Sequence, residues 1–448
     1  MPSPPAAPAV LAALGLRVWT SAHDSELRAA LARLAGRGET DSAKVEPAVR
    51  EVLEAVKKEG DAAVLRYVER FERRRPAALH RSEIGGRDAL DRLPKEARAA
   101  LELAADRIAV FHRKERDAMF GGSGFRVEEG GRHLGLRVRP LARVGVYAPG
   151  GKARYPSSVL MSAIPAKVAG VPEIVLATPL AGDASDDAIL AAAHLAGVSA
   201  VVDAGGAQAI AALAWGTESI PRVDKIVGPG NAYVACAKRM VYGAVSIDSI
   251  AGPSEILVVA DEDANAAHVA ADLLSQAEHD EDAYALLVTT SRDLVTQVGA
   301  ALEAQLADLP RAAIAAESLR RHGEAFVVAS RDELAAVANT IAPEHLSLQV
   351  REPDALLDAI HHAGAAFVGG STPEAVGDYV AGPSHVLPTG GAVRFGSPLG
   401  VHDFVARTSI IRYTPEALAK DAAAIVDFAR LEGLEAHARA VLVRSFRP

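Results

Sequence analysis

Short β-branched runs that end near glycine and lead into alanine-rich segments recur along most of this 448-residue sequence. The first series of such runs covers residues 143–147, 173–177, 200–203 and 224–227. A second series covers residues 255–260, 284–288, 325–328 and 366–368. A strand, a tight turn and a helix repeated at this spacing are typical of right-handed βαβ units. The sequence therefore predicts an α/β protein with two similar parallel sheets.

Helical patterns and one long connection surround these two series. Apolar residues recur at three- and four-residue steps from 46 to about 117, and a last helical stretch runs over 415–443 after a threonine N-cap. Between the second series and that stretch, residues 369–400 are rich in glycine and proline. Because this connection contains Asp378 and His385, we interpret it as a functional loop rather than a linker.

Composition excludes several classes of protein. The chain has 48 Lys and Arg against 57 Asp and Glu, a net charge of −9, which argues against a general nucleic-acid binder. The single cysteine, Cys236, excludes an intramolecular disulfide and any multi-cysteine metal site, and it fits a reducing cytosol. No apolar run of membrane-spanning length and no targeting signal occurs. We therefore expect a cytoplasmic protein that binds neither membranes nor nucleic acid.

Two glycine turns are candidates for binding an anion. The sequences GGAQ at 205–208 and GPGN at 228–231 each follow a predicted strand and precede a predicted helix. Free backbone N–H groups and a helix N-terminus at that place suit a pyrophosphate. Tight βα turns also use glycine for purely steric reasons. The dinucleotide fingerprint GxGxxG is missing, so the turns alone leave both interpretations open.

Two polar pairs are candidates for chemistry. Gln276 and His279 are three residues apart in a helical pattern, which places them on one face, as a metal site requires. Glu344 and His345 are adjacent after a proline, and a carboxylate beside an imidazole supplies an acid and a base. Taken separately, the first pair is more typical of a polar helix end and the second of a solvated surface pair. The lone Cys236 lies in an alanine-rich helical pattern with no base beside it, which predicts a packed thiol.

Together the motifs resemble the histidinol dehydrogenase family over nearly the whole chain. The motifs that carry the resemblance are RVGVYAPGG, GGAQAIAALA, VGPGNAYV, AGPSEILV, DLLSQAEH, APEHLSL, GDYVAGPSHVLPTGG and LEGLEAHARAV. The resemblance implies oxidation of L-histidinol through histidinal to L-histidine, with two NAD+ and a substrate-orienting zinc. It also implies a homodimer with shared active sites, in which the C-terminal segment crosses over.

The resemblance assigns roles to individual residues. It implies His345 as the general base for the alcohol and Glu344 as the base that activates water against the aldehyde. The implied zinc ligands are Gln276, His279, Asp378 and His437. The implied substrate contacts are Ser254, Gln276, His279, His345, Asp378, Glu432 and His437, with His385 near them. The implied NAD contacts are Tyr147, Gln208 and Asn231.

From the two strand series and the resemblance we predict two incomplete, doubly wound Rossmann-like domains with helical extensions at both ends. The first domain comprises residues 41–146 and 253–399 and carries the zinc and catalytic residues. The second domain, residues 147–252, binds NAD. Residues 1–40 form an N-terminal helical extension, and residues 400–448 form a C-terminal dimerisation tail.

Three alternatives remain at this point. A related zinc and NAD-dependent dehydrogenase of another small alcohol, such as a sulfonated diol, shares the fold and metal set, although the AGPSE and EGLEAH motifs favour histidinol. A zinc-binding nucleotide sensor without catalysis is disfavoured by the intact Glu344 and His345. A zinc hydrolase is disfavoured because the glycine turns and NAD-contact residues then lack a purpose.

Overall fold

A computed structural model describes residues 14–38, 42–121, 124–150 and 154–445. The first thirteen residues of the predicted N-terminal extension and its last two lie outside the described residues. In chain order the strands are β1 (Arg17–Thr20), β2 (His80–Arg81), β3 (Gly124–Glu129), β4 (Arg132–Pro140), β5 (Arg143–Tyr147), β6 (Glu173–Ala177), β7 (Ala200–Val202), β8 (Lys225–Val227), β9 (Ser246–Ile247), β10 (Glu255–Ala260), β11 (Tyr284–Thr289), β12 (Glu324–Val327), β13 (His345–Gln349), β14 (Ala365–Val368) and β15 (Val405–Tyr413).

The α-helices connect and cover these strands. In chain order they are α1 (Asp24–Ala35), α2 (Ser42–Glu59), α3 (Asp61–Glu72), α4 (Gly86–Arg92), α5 (Lys95–Phe120), α6 (Pro156–Ala169), α7 (Asp187–Ala196), α8 (Gly206–Trp215), α9 (Ala232–Val241), α10 (Ala266–Ala277), α11 (Arg292–Leu306), α12 (Ala312–His322), α13 (Arg331–Ile341), α14 (Pro353–Leu357), α15 (Glu374–Tyr379), α16 (Pro415–Leu431) and α17 (Glu435–Ser445). None of the helices in the described ranges is long and apolar enough to cross a membrane.

Two six-stranded sheets form the body of the protein. Sheet I has the order β2-β7-β6-β5-β8-β9 and is parallel except for β2, and sheet II has the order β1-β12-β11-β10-β13-β14 and is parallel throughout. Apart from the edge strands β1 and β2, each sheet has its third, second, first, fourth and fifth strands side by side. This is the doubly wound, Rossmann-like order, so the predicted α/β class with two similar sheets is confirmed.

The sequence of the central strands explains their burial. All six residues of β10, EILVVA, are buried, as expected for a parallel strand with helices on both faces. The helix α6 is likewise buried from Ser158 to Ala166, and small alanine and serine side chains allow it to lie close to its neighbours. Cys236 in α9 is 1% exposed within the core of sheet I, in agreement with a packed thiol.

The packing corrects the predicted division of the chain. The helices between residues 42 and 120 were predicted to join the strands of 253–399, but Val49, Leu53 and Val56 pack in one core with residues of sheet I. The predicted N-terminal extension instead supplies β1 and α1 to sheet II, where Leu27 and Leu34 join its core. The three- and four-residue spacing of apolar side chains identified these helices. It does not specify which sheet a helix covers, because that depends on tertiary packing.

A third, smaller sheet joins residues 124–140 to the C-terminal part of the chain. Strands β3, β4 and β15 make an antiparallel sheet, which we call sheet III, and the helix α16 follows it. The predicted N-cap is present, since the Thr414 hydroxyl accepts a hydrogen bond from the Ala417 N–H at 3.2 Å and Pro415 is the first helical residue.

Candidate active site

The adjacent pair Glu344 and His345 lies at the amino end of the central strands of sheet II. The chain leaves α13 through Ala342, whose φ of +51° is in the left-handed region, and Pro343 follows. This turn delivers Glu344 to the start of β13, next to the start of β10. Glu344 and His345 are 6% and 5% exposed, so the interpretation of a solvated surface pair is wrong.

The backbone of Glu255 contacts both members of this pair. Its N–H donates to Glu344 Oε2 at 3.0 Å, and its carbonyl oxygen lies 3.0 Å from His345 Nδ1. A carbonyl only accepts hydrogen bonds, so Nδ1 carries the proton in the neutral imidazole. The other nitrogen, Nε2, is buried and has no partner within the described part of the chain. The Nε2 lone pair of His345 is therefore buried and is not used by a hydrogen bond within the described residues.

Burial favours the neutral form of both residues and shifts their pKa values accordingly. It lowers the pKa of His345 to about 4, so the imidazole is neutral at pH 7. It also raises the pKa of Glu344 well above its ordinary value, with the nearby carboxylate of Glu255 adding to the effect. A base works best when its pKa lies near the working pH, and burial moves Glu344 toward that pH and His345 away from it.

A group of metal-ligating side chains lies beside this pair. Ligand atoms of His279, Glu374 and Asp378 all lie within 4.8 Å of one another. The carboxamide nitrogen of Gln276, when turned toward Glu374, donates to its Oε1 at 2.7 Å and its Oε2 at 3.2 Å. In this orientation the Gln276 oxygen is available to another partner. One imidazole nitrogen with amide and carboxylate oxygens is a donor set that fits zinc.

The charge states of His279 and Asp378 suit a cation, whereas burial raises the pKa of Glu374 well above its ordinary value. Burial lowers the pKa of His279, which favours the neutral imidazole that a metal binds. Burial alone would raise the pKa of Asp378, but the hydrogen bond with His385 and the nearby imidazoles of His345 and His279 lower it below its ordinary value. Asp378 is therefore ionised at neutral pH.

Sequence reasoning missed Glu374. Its side chain is 2% exposed and accepts a hydrogen bond from the Ser275 hydroxyl at 3.2 Å, and its Oε1 lies 3.6 Å from His345 Nδ1. The available signal was its spacing, because Glu374 precedes Asp378 by four residues and both lie in α15. Residues at that spacing share one face of a helix.

His385 places the site between the two sheets. Its Nδ1 lies 3.5 Å from Asp378 Oδ1, and its Nε2 lies 3.4 Å from the hydroxyl of Ser158 in the first turn of α6. The helix α6 follows β5, so its first turn lies at the carboxyl end of sheet I. Ser254, half-buried, directly precedes β10 at the amino end of sheet II. The site therefore lies between the carboxyl edge of sheet I and the amino edge of sheet II.

Two of the candidate residues lie apart from this group. Glu432 follows α16 and His437 lies in α17, and both are exposed in the single chain. Within the described ranges, His437 is not part of the metal-ligating group. A single subunit therefore brings together Gln276, His279 and Asp378 of the four predicted zinc ligands.

The three predicted NAD contacts lie at the carboxyl end of sheet I. Tyr147 ends β5, Asn231 follows β8, and the winding of the sheet reverses between these two strands. Ligands of doubly wound sheets bind in the crevice at this place. Gln208 follows β7 and is 1% exposed, and its Oε1 is buried without a partner in the described structure.

The glycine turns differ from the prediction in one respect. The Gly205 N–H donates to Glu72 Oε1 at 2.9 Å, and the Gly206 N–H donates to the Tyr147 hydroxyl at 3.1 Å. The Gly228 N–H donates to Asp248 Oδ2 at 2.7 Å. The expectation of free N–H groups is therefore wrong at these three positions, because buried backbone donors find partners within the protein.

The sequence matches histidinol dehydrogenases over most of its length. The sequence model of the histidinol dehydrogenase family matches residues 35–445. A histidinol dehydrogenase of Syntrophotalea carbinolica is 53% identical over 95% of this chain and 98% of that protein, and one of Lactiplantibacillus plantarum is 51% identical over 89% and 92%. A crystal structure of the histidinol dehydrogenase of Elizabethkingia anophelis has a TM-score of 0.87 and 34% identity, covering 96% of this chain and 98% of that one.

Proposed function

The chain belongs to the histidinol dehydrogenase family, and we propose that it carries out both oxidations of L-histidinol at the buried site on sheet II. L-Histidinol is oxidised to L-histidinal and then to L-histidine, and NAD+ accepts one hydride in each step. The alternative of a sulfonated diol as substrate is not supported, because the relatives at about half identity are histidinol dehydrogenases. We place this biosynthetic enzyme in the cytoplasm, where its single thiol stays reduced.

The observation that carries the proposal is the free Nε2 of His345. The Glu255 carbonyl accepts from the Nδ1–H, so Nε2 is the unprotonated nitrogen of the neutral ring and is not engaged by another group of the described chain. In the first step Nε2 takes the proton of the substrate hydroxyl while a hydride leaves the same carbon for NAD+. The products of this step are the aldehyde, NADH and a proton.

Glu344 serves the second step. Its carboxylate takes a proton from water as the water oxygen adds to the aldehyde carbon, and returning that proton to the former carbonyl oxygen gives the hydrated aldehyde. The hydrate then loses a proton to His345 and a hydride to a second NAD+. In sum, one histidinol, one water and two NAD+ give one histidine carboxylate, two NADH and three protons.

A half-reaction assay separates the two roles. We expect Glu344→Gln to lower kcat for NADH formation from L-histidinal by about 10²–10⁴-fold, the range for loss of a general base. The alcohol step needs His345 instead, so the reverse reaction, reduction of histidinal by NADH, is expected to stay within about tenfold of wild type. Equal losses of kcat in the oxidation and in the reduction of histidinal would contradict the assignment of water activation to Glu344.

We propose zinc on Gln276, His279 and Asp378, with His437 as the fourth ligand. When bound, zinc supplies a Lewis acid that holds and orients the substrate. Glu374 supports these ligands because it accepts hydrogen bonds from the carboxamide nitrogen of Gln276. The carboxamide oxygen is then left for the metal. Such outer hydrogen bonds commonly orient metal ligands.

We propose that NAD+ binds at the carboxyl end of sheet I, against Tyr147, Gln208 and Asn231. The reversal of strand winding between β5 and β8 supports this location, as does the position of the catalytic pair across the gap between the sheets. Glu72 orients Gln208, because its Oε1 accepts hydrogen bonds from the Gly205 N–H and, at 3.2 Å, from the Gln208 carboxamide nitrogen.

We further propose a homodimer in which the C-terminal tail completes the site of the partner subunit. Eleven of the 21 exposed large apolar side chains in the described residues lie on sheet III and on the tail, which is unusual for a surface that faces water. They are Phe125, Val127, Leu134, Ile410, Ile411, Tyr413, Ile425, Phe428, Leu431, Leu434 and Val443. A second copy of the chain would cover this surface and bring Glu432 and His437 to a site.

Subunit complementation tests the shared site. The test uses a purified mixed dimer of one Glu344→Gln subunit and one His437→Ala subunit. If each tail completes the site of the partner subunit, one site of this dimer carries both changes and the other carries neither. We expect about half of the wild-type kcat, because two-fold symmetry gives each subunit the partner's tail. Each homodimer is the control and is expected to form histidine at no more than about one hundredth of the wild-type rate. A mixed dimer as inactive as its parents would contradict shared sites.

A further inference from the structure

We propose that a buried ion pair between Arg37 and Glu255 is the positioning element for the catalytic pair. The ion pair fixes the positions of Glu344 and His345 relative to each other. It acts through these two residues rather than by contacting substrate or cofactor. The inference rests on the proposed function, since it takes Glu344 and His345 as the two bases.

The ion pair is almost completely removed from water. The side chains of Arg37 and Glu255 are 3% and 1% exposed. Arg37 Nε donates to Glu255 Oε2 at 2.9 Å, and Nη2 contacts the same oxygen. Because desolvation offsets much of the attraction in such a pair, its burial is weak support for stability and better explained by a role in fixing geometry.

Glu255 connects the parts of the active site. Its backbone N–H and carbonyl hold Glu344 and His345, as described above. Its side chain accepts a hydrogen bond from the Gly390 N–H, in the glycine-rich connection that carries Asp378. A displacement of this one residue would therefore move both bases and the connection together.

Arg37 holds the turn that precedes the catalytic pair. Its Nη1 donates to the Leu34 carbonyl at 2.6 Å and to the Ile341 carbonyl at 2.8 Å, and its Nη2 reaches the Ala342 carbonyl at 3.3 Å. Ala342 is the left-handed residue two positions before Glu344. The planar guanidinium thus joins α1, the end of α13 and Glu255 in one fixed arrangement.

Lysine does not reproduce this arrangement. Its ammonium keeps the charge but lacks the planar fork with five N–H donors, so it binds as a point charge. Arg37→Lys therefore keeps the ion pair and loosens the geometry. Glu255→Gln removes the charge and keeps the side-chain shape, so the two variants disturb the element in different ways.

The pair of Arg33 and Glu324 is a matched control. Arg33 lies one turn earlier in α1 and donates to both oxygens of Glu324, at 2.7 and 2.9 Å, and Glu324 is fully buried. Glu324 begins β12, two strands away from β10, and its other donors are Arg17 and Trp19. Arg33→Lys therefore makes the same chemical change away from the catalytic pair.

The test measures kcat, KM for L-histidinol, zinc content and Tm of Arg37→Lys, Glu255→Gln and Arg33→Lys in the full-length enzyme. We expect kcat to fall about 10–100-fold in the first two variants, the effect of misplacing a reacting group by about 1 Å. KM and zinc content should stay within about threefold, because the proposed metal ligands are unchanged. Arg33→Lys should keep kcat within about twofold of wild type and lose less Tm, because Arg33 is half exposed and Glu324 keeps Arg17 and Trp19 as donors.

Two results would overturn the inference. One is a folded, zinc-loaded Arg37→Lys enzyme with the kcat of wild type, which decides the question even where Glu255→Gln does not fold. The other is an equal loss of kcat in Arg33→Lys, which would indicate general destabilisation. Failure of the proposed function is a separate outcome, because it requires that Glu344→Gln and His345→Asn themselves keep their activity.

Discussion

A His345→Asn enzyme is expected to lose about 10²–10⁴-fold in kcat for both oxidations, the range that a positioned general base contributes. The asparagine amide can still donate to the Glu255 carbonyl in place of Nδ1, but it has no lone pair basic enough to replace Nε2. Since burial keeps the pKa of His345 at about 4, the wild-type imidazole is already neutral at pH 7 and the loss is that of the base itself. Steady-state assays with L-histidinol and with L-histidinal measure the effect.

His112→Asn is the matched control for this prediction. His112 is 1% exposed, its Nδ1 lies 2.6 Å from Glu115 Oε2, and its Nε2 is also buried without a partner in the described ranges. It lies in α5, which packs on sheet I, so its replacement is expected to lower Tm and leave kcat unchanged. A His345→Asn enzyme with kcat within tenfold of wild type would show that His345 is not the base.

Asp378→Ala is expected to weaken zinc binding by at least about 100-fold, because even outer-shell changes cost 10–100-fold in metal affinity and this change removes a proposed ligand. The proposed ligands that remain, Gln276, His279 and His437, are all uncharged donors, so the variant loses the one carboxylate of the set. Competition with a chromogenic chelator gives the affinity, and turnover should follow the bound zinc. Removal of zinc from the wild-type enzyme should likewise abolish turnover, and added zinc should restore it.

A buried carboxylate one turn from Gln276 provides the control for the metal. Asp272 accepts hydrogen bonds from the Ser347 hydroxyl at 3.1 Å and from the Gln349 amide at 2.8 Å, and it is not a proposed ligand. Asp272→Asn is expected to keep its zinc while Tm falls. One tightly bound zinc per subunit in Asp378→Ala would contradict the proposed ligand set.

Local patterns predicted the elements of this protein well. The runs at 143–147, 173–177 and 255–260 are strands with the predicted bounds, because β-branched residues next to glycine turns specify them locally. The spacing of Gln276 and His279 and the adjacency of Glu344 and His345 were also visible in the sequence, and the fold brings both pairs into one region.

What the sequence did not predict depends on distant partners. Arg37 and Glu255 are 218 residues apart, and Glu72 reaches Gly205 across 133 residues, so no local spacing indicates either contact. The same holds for the helices of 42–120, whose apolar faces fit either sheet until the chain is packed. Tertiary packing decided these cases, whereas propensity and periodicity decided the elements.

The NADH yield per histidinol tests the central claim most directly. With limiting L-histidinol, excess NAD+ and a semicarbazide trap for free aldehyde, one enclosed site that performs both oxidations is expected to give two NADH per histidinol and no trapped histidinal. A yield of one NADH, or recovery of the aldehyde in the trap, would contradict the proposal that Glu344 and His345 complete both steps without releasing the intermediate.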